Sequence, residues 1–432
     1  MQPAPFQIEA SQFVYERDHS MIFAKMGTGK TLTFLLAIQD WLETGAAKRV
    51  MIVAPLRVAK FVWKQEIEKW NLPITASILT GDMSARQRRE AVAADTQVLI
   101  TNYEMAPKLM AEGGHRCTAL VLDELSKVRN PTGKRQKAIR NAKGFTIRTG
   151  GTGTPAPNGL SSVFGMLHAV GLSGLVGNSF YRWRMRYFEP LDYHGWKWRP
   201  REGAKEAILG LIKPHTFILD NRDVGLPPVV RPPVPVYLPP VLEAAYKELR
   251  SQSALTDEQI IADTGGVMFS KLRQLTSGFA YNLSGDAVSF DNFKLDVLSD
   301  IFDEQNGAPL LIAYEFKEQL RMLLDRWPGT PYIGGGDDDR TLAQWNAGEL
   351  PLLFLHPASA GHGLNMQAGG NAIAWMQVPV DLELYEQTLA RLVRRGQKGP
   401  VYSYEPYAVG TIDERIHEML ADKASVQAEM FF

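Results

Sequence analysis

Ala24-Lys25-Met26-Gly27-Thr28-Gly29-Lys30-Thr31 follows the apolar run Met21 to Phe23 and leads into a helix-like segment. Strand, glycine-containing turn and helix in that order are the context of a phosphate-binding loop. The glycines let the backbone amides of Gly27, Thr28 and Gly29 turn inward around phosphate oxygens, and the helix that follows presents its positive end. Lys30 reaches the terminal phosphates and Thr31 offers a hydroxyl to magnesium, so the chain is expected to bind a nucleoside triphosphate. Ala24 stands where the pattern usually has its first glycine.

Working outward, short apolar runs end at polar or glycine-containing segments: Met51 to Ala54, Val98 to Ile100, Ala119 to Leu122 and Phe145 to Ile147. They read as buried parallel strands, separated by amphipathic stretches such as Val58 to Trp70. Ligands of such sheets sit beyond the carboxyl ends of the strands, where these motifs fall. A second series, Leu310 to Ala313, Leu352 to Leu355, Ala372 to Trp375 and Val401 to Tyr404, predicts a second α/β lobe. Between the two series, the segments 166–212 and 240–293 look mainly helical. Prolines at 227, 228, 232, 233, 235, 239 and 240 predict an extended, stiff connector over 226–239. The expected organisation is therefore a first lobe over 1–165 with 213–225, a helical insertion over 166–212, the connector, a second insertion over 240–293 and a second lobe over 294–432.

The chain has 432 residues, of which 45% are hydrophobic, enough for a sizeable core. Its 47 basic and 47 acidic residues cancel, so net charge announces no polyanionic partner. Distribution says more: Lys127, Arg129, Lys134, Arg135, Lys137, Arg140, Lys143 and Arg148 occur without an intervening acid. That stripe is read either as a phosphate-tracking surface or as a solvated helix face. Phe180 to Phe188 interleaves aromatics with Arg182, Arg184 and Arg186, and Trp196 to Arg199 continues the pattern. It suits a nucleic-acid grip, or equally an aromatic core with arginines facing water. The single cysteine, Cys117, excludes a disulfide framework and a cysteine zinc cluster. No run approaches the roughly 20 apolar residues of a membrane span, and the amino terminus lacks the pattern of a signal peptide, so an intracellular location is expected.

Asp123 and Glu124 close the run Ala119 to Leu122. Two carboxylates at a strand end near a phosphate loop complete an ATPase: the first holds magnesium and the second orients or deprotonates the attacking water. Other segments fall in a definite order around this pair: Pro5-Phe6-Gln7, Val53-Ala54-Pro55-Leu56, Thr101-Asn102-Tyr103-Glu104, Thr152-Gly153-Thr154-Pro155, Gly361-His362-Gly363-Leu364-Asn365 and Gln387 through Gln397.

The ordered set resembles the Swi/Snf-type DNA translocases of helicase superfamily two, across nearly the whole chain. The loop Pro357 to Asn365 looks most like compact bacteriophage and prophage members. The resemblance implies two RecA-like parallel-sheet lobes with small helical insertions, and ATP with magnesium as cofactors. It implies that Arg391 and Arg394 are arginine fingers, three residues apart and so on one helical face. It adds Gln7, Gly363 and Gln387 to the nucleotide-binding set, and makes Thr152 to Pro155 the coupling segment. Expected nucleic-acid contacts are Pro55, Leu56, Thr101, Asn102, Tyr314, Ser359, Gly361 and Asn365, with Arg182, Arg184 and Arg186 on a helical protrusion. Such contacts read backbone rather than base edges, so little sequence preference is expected, and the resemblance implies double-stranded DNA as the partner. Single-stranded DNA or RNA, with true unwinding, and a nucleotide-gated DNA clamp are the alternatives. Departures are Lys25 before the loop, Leu125-Ser126 after the acidic pair and His362 between two glycines. With no flanking chromatin-reading domain expected, nucleosome remodelling is not. A monomer in the cytoplasm is expected, the host cytoplasm if the chain is phage-encoded. The ending Gln427 to Phe432 resembles peptides that dock in the bacterial sliding clamp, which implies a free terminal tail.

Overall fold

The computed structural model describes residues 2–113, 115–156, 159–191, 198–219, 225–255, 258–359 and 364–431. The chain divides into two compact units, Met1–Gly225 with Ser425–Phe432, and Leu226–Ala424. Each is α/β and built on one parallel sheet. Among the described residues no helix is long and apolar enough to cross a membrane.

In the first unit, helix α1 (Pro5–Tyr15) precedes strand β1 (His19–Phe23), which feeds the phosphate loop and helix α2 (Lys30–Glu43). Strands β2 (Val50–Ala54), β3 (Ala76–Leu79), β4 (Val98–Asn102), β5 (Ala119–Asp123) and β6 (Ile147–Thr152) follow. The sheet order is β3-β4-β2-β5-β6-β1, and the strand Thr216–Ile218 pairs with β1 at the far edge. β2 and β4 are buried along their whole length, which is why β2 is an unbroken apolar run and β4 one up to Ile100, with the polar Thr101 and Asn102 closing it.

β6 departs from the expected Phe145 to Ile147 and extends to Thr152 through Thr149-Gly150-Gly151. The glycines hide the strand from hydropathy, and packing requires them. A Cβ on Gly151 would lie 2.9 Å from the Phe34 ring, and one on Gly153 would lie 2.9 Å from Met26 Cγ. The end of β6 is thus pressed against the phosphate loop and the first turns of α2.

The expected boundary at 165/166 falls inside the continuous, fully buried helix Ser162–Ala169. Beyond it, the helices Phe180–Tyr187 and Ala204–Ile212 flank a hairpin of Phe188–Pro190 with Trp198–Pro200. Trp183, Tyr187, Phe188, Ile208 and Ile212 are buried in the same cluster as Met21, Leu120 and Phe164. This insertion therefore extends the core of the first unit instead of forming a small core of its own.

In the second unit the sheet order is Val229–Val230, Val401–Tyr404, Ala372–Trp375, Leu310–Ala313, Leu352–Leu355 and Tyr332–Ile333. The connector is not a bare spacer. Val229–Val230 forms the edge strand of this sheet, and Pro235–Val236 pairs with Tyr407–Ala408. Prolines suit an edge because their carbonyls can still accept: Val401 N–H donates to Pro228 O at 2.9 Å. The segment 240–293 holds the helices Pro240–Gln252 and Gly265–Leu275, each followed by a short hairpin. The backbone of the expected terminal tail continues the helix Ile412–Phe431.

A buried ion pair fastens this unit. Lys294 Nζ donates to Asp413 Oδ2 at 2.7 Å, with side chains 1% and 4% exposed. Asp413 also accepts from Thr276 Oγ1 at 2.8 Å, Gln377 Nε2 at 3.1 Å and Ala408 N–H at 3.2 Å. One carboxylate so joins the insertion, the sheet and the last helix. Removing only the cation leaves a buried charge uncompensated, so Lys294→Met should cost about 3–5 kcal/mol. Urea unfolding of the full chain measures this; a loss below about 1 kcal/mol, the worth of an exposed pair, would contradict it.

Candidate functional site

The site in the first unit is assembled from the carboxyl ends of β1, β5 and β6. Gly27 and Gly29 have φ of 79° and 83°, the left-handed region that lets the loop turn its amides inward. Lys30 opens α2, and its Nζ donates back to Ala24 O at 2.8 Å and Lys25 O at 3.2 Å. Thr28 Oγ1 donates to Lys25 O at 2.8 Å, closing the loop on itself, and Thr31 is half-buried in the first turn. Gln7 is buried under the loop, its Nε2 3.4 Å from both Thr28 O and Gly29 O and its Oε1 accepting from Ala4 N–H at 2.9 Å. Its carboxamide braces α1 against the loop, a use that its place near a terminus did not suggest.

Asp123 ends β5. Trp63 Nε1 donates to its Oδ2 at 3.0 Å. Burial raises the pKa of this carboxyl, while Lys30, the Trp63 hydrogen bond and the Glu124 backbone N–H oppose the rise. Among the described residues Oδ1 takes no side-chain hydrogen bond. Thr31 and Asp123 together offer the hydroxyl and carboxylate oxygens that suit magnesium.

At Glu124 the backbone turns through φ 63°, a strained conformation for a side chain of this size. The Tyr103 hydroxyl bridges the turn, donating to Asp123 O at 2.9 Å and Glu124 O at 3.2 Å. The Glu124 carboxylate is 5% exposed, and its Oε1 accepts from Ser126 Oγ at 3.0 Å and from Thr152 Oγ1. Thr152 Oγ1 in turn accepts from Thr154 N–H at 3.1 Å. The segment Thr152 to Pro155, expected to couple nucleotide state to the grip, is thus bonded directly to the second carboxylate through Thr152. Neither Tyr103 nor Trp63 is singled out by sequence, since buried aromatics ordinarily read as core.

In the second unit Arg391 and Arg394 do not share a helical face. The helix Leu382–Leu389 ends before them, and both sit in the turns that follow. Arg391 is buried with Nη1 3.4 Å from Leu364 O, and Arg394 is half-buried, donating Nε to Ala390 O at 2.8 Å and Nη1 to Asn365 Oδ1. Gln387 is buried, and its Nε2 donates to Glu383 Oε1 at 3.0 Å within its own helix. Gly361, His362 and Gly363 lie outside the described residues.

The expected nucleic-acid contacts divide. Leu56, Ser359, Asn365, Arg182 and Arg186 are exposed, and Pro55 is half-buried. Arg184 is half-buried, its guanidinium 4.1 Å above the Trp198 ring. Thr101, Asn102 and Tyr314 are corrections: they are 0%, 2% and 6% exposed. The first two end a central strand, and burial pushes the Tyr314 hydroxyl up to about 12. Of the basic stripe, Arg148 also points inward, donating to Ile139 O at 2.9 Å, whereas Lys134, Arg135 and Lys137 are exposed on a helix. Cys117 is buried and its thiol pushed up to about 12, which makes it inert.

Thr152→Val keeps shape and removes one donor to a buried carboxylate. It should slow nucleoside triphosphate hydrolysis about tenfold or more while nucleotide affinity stays within about threefold. Single-turnover hydrolysis and equilibrium binding separate the two quantities; an equal loss in both would contradict the coupling.

Residues 6–267 match the family model described as SNF2-related domain. The p41 protein of Acyrthosiphon pisum secondary endosymbiont phage 1 is 29% identical over 447 residues, which cover 98% of this chain and 97% of that protein. YwqA of Bacillus subtilis, named as an ATP-dependent helicase/translocase, is 24% identical over 94% of this chain and 46% of its own length, so the chain spans about half of that relative. Among solved structures, the Sulfolobus solfataricus SWI2/SNF2 ATPase core in complex with dsDNA aligns with a TM-score of 0.48 and 20% identity, covering 100% of this chain and 93% of that one. The model match spans more than half of the chain, which therefore belongs to the SNF2-related family of ATP-hydrolysing enzymes.

Proposed function

We propose that the chain is a DNA-dependent ATPase that couples hydrolysis to translocation on double-stranded DNA, remodelling protein–DNA complexes or branched DNA. The observation that carries the reading is the buried Glu124 carboxylate, held by Ser126 and Thr152 beside the phosphate loop. In this reading Lys30 and the loop amides of Gly27, Thr28 and Gly29 bind the phosphates, and Glu124 orients and deprotonates the attacking water. Thr31 and Asp123 would hold magnesium, which when bound neutralises charge on the phosphate oxygens. Arg391 and Arg394 compensate the charge that develops on the transferred phosphoryl group.

Lys30 belongs to the first unit and the two arginines to the second. Hydrolysis then alternates two states of different affinity, and a grip on DNA in each unit converts that alternation into movement. The exposed Leu56, Ser359, Asn365, Arg182 and Arg186 supply candidate grips. They offer backbone and cationic groups, which suit phosphates rather than base edges. The YwqA name, helicase/translocase, supports the same class.

Steady-state ATP hydrolysis with no polymer, duplex DNA, single-stranded DNA and RNA tests the reading. Duplex DNA should stimulate most, and Lys30→Ala should abolish the stimulated rate. Stimulation by single strands alone would replace the translocase with an unwinding helicase. Glu124→Gln should bind ATP normally and lower turnover by at least about a hundredfold; if DNA-dependent activity survived that change, a nucleotide-gated clamp would be the better account.

A further inference from the structure

We infer that Trp63 is a positioning residue for the Asp123 carboxylate, tying the solvent-facing segment after β2 to the magnesium side of the nucleotide site. This rests on the reading of Asp123 as the magnesium carboxylate.

β2 and β5 are neighbours in register, with Val53 opposite Leu122, so the chain leaving β2 starts beside the chain ending at Asp123. It turns at once, Ala59 N–H donating to Pro55 O at 2.9 Å, and Val58–Val62 forms a π turn before the α-helix Trp63–Lys69 begins. A π turn inserts an extra residue and so rotates the side chains that follow, a deviation common at functional sites. Leu56 before it and Phe61 within it are 43% and 44% exposed, while Trp63 directly after it is 0% exposed. Lys60 holds the outer side of the segment through an ion pair with Asp82 at 2.5 Å.

The indole has one polar atom, a donor, and it is spent on Asp123 Oδ2 at 3.0 Å. A donor on a fully buried ring has little freedom to move, so it restrains where Oδ2 sits. With Oδ2 engaged by the indole, Oδ1, which takes no side-chain hydrogen bond among the described residues, is the oxygen that would face a cation. Any displacement of the segment that carries Leu56 and Phe61 moves the indole, and with it that oxygen. Trp63 touches no reacting atom; it acts through Asp123.

Trp63→Phe removes the N–H and keeps an aromatic ring. ATP affinity in the presence of a chelator should stay within about twofold of wild type. The gain in ATP affinity on adding magnesium should fall about tenfold, the worth of a hydrogen bond to a charged group, and the magnesium concentration giving half-maximal hydrolysis should rise by a similar factor. In an Asp123→Ala background the Trp63→Phe effect should vanish, because the two residues act on one oxygen. If Trp63→Phe lowers affinity equally with and without magnesium, or its effect persists without Asp123, the ring serves packing alone and the inference is overturned. If Asp123→Ala keeps the magnesium gain, the reading of Asp123 itself fails and the inference falls with it. Thermal unfolding reports whether Trp63→Phe folds. Should it not, 3-benzothienylalanine at position 63 keeps the bicyclic shape, replaces N–H by sulfur, and carries the same expectations.

Discussion

The structure depends on burying one carboxylate, Glu124, at the end of a central strand. A charged group can be withdrawn from water only if donors replace the water, and the donors must be in place before any substrate arrives. Ser126, two residues on, supplies one; Thr152, on the neighbouring strand, supplies another. That second donor explains the odd sequence of β6. To bring Thr152 to Glu124, the strand must run close against the phosphate loop, and side chains at Gly151 and Gly153 would collide with Phe34 and Met26. The left-handed turn at Glu124, the Tyr103 brace and the glycines are consequences of the same requirement.

Buried cations in this chain are met differently according to what they do. Lys294 has a full carboxylate partner and makes a rigid joint. Arg49 and Arg148 instead spread their guanidiniums over carbonyl oxygens, Arg49 reaching Val92, Ala94 and His115 and Arg148 reaching Ile139 and Ala169. Such arginines cap the ends of helices and loops and contribute nothing to an outer electrostatic surface. A tally of basic residues along the sequence cannot distinguish them from those that face solvent.

That distinction marks how much could be read from sequence. Uninterrupted apolar strands were legible, because a parallel sheet covered on both faces needs them: Leu310–Ala313, Leu352–Leu355 and Ala372–Trp375 form as their hydropathy predicts, and Val401–Tyr404 forms beside them with alternating burial. So were the loop and the acidic pair, whose chemistry constrains residue type. Edge strands such as Val229–Val230 and Thr216–Ile218 were not, since two or three residues carry no period. Thr101 and Asn102 read as polar surface groups, yet register with β2 places them inside. The spacing of Arg391 and Arg394 implies a shared helical face only while the helix lasts, and it stops at Leu389.

The turn that replaces that helix has a mechanical consequence. A guanidinium on a helix is carried by the helix; one in a turn is placed by what it bonds to. Arg391 bonds to Leu364 O and Arg394 to the side chain of Asn365, and Asn365 O is held by Asn346 Nδ2 at 2.8 Å. The residues proposed to meet phosphate in the second unit are therefore positioned by the segment proposed to meet DNA. The first unit repeats the arrangement with other parts, the exposed stretch around Leu56 and Phe61 reaching Asp123 through Trp63. On these proposed roles, a single hydrogen-bonded step in each unit separates the residues assigned to nucleotide from those assigned to DNA. Coupling between nucleotide and polymer then needs no long pathway through either core, only a shift of the short segment on which both surfaces depend.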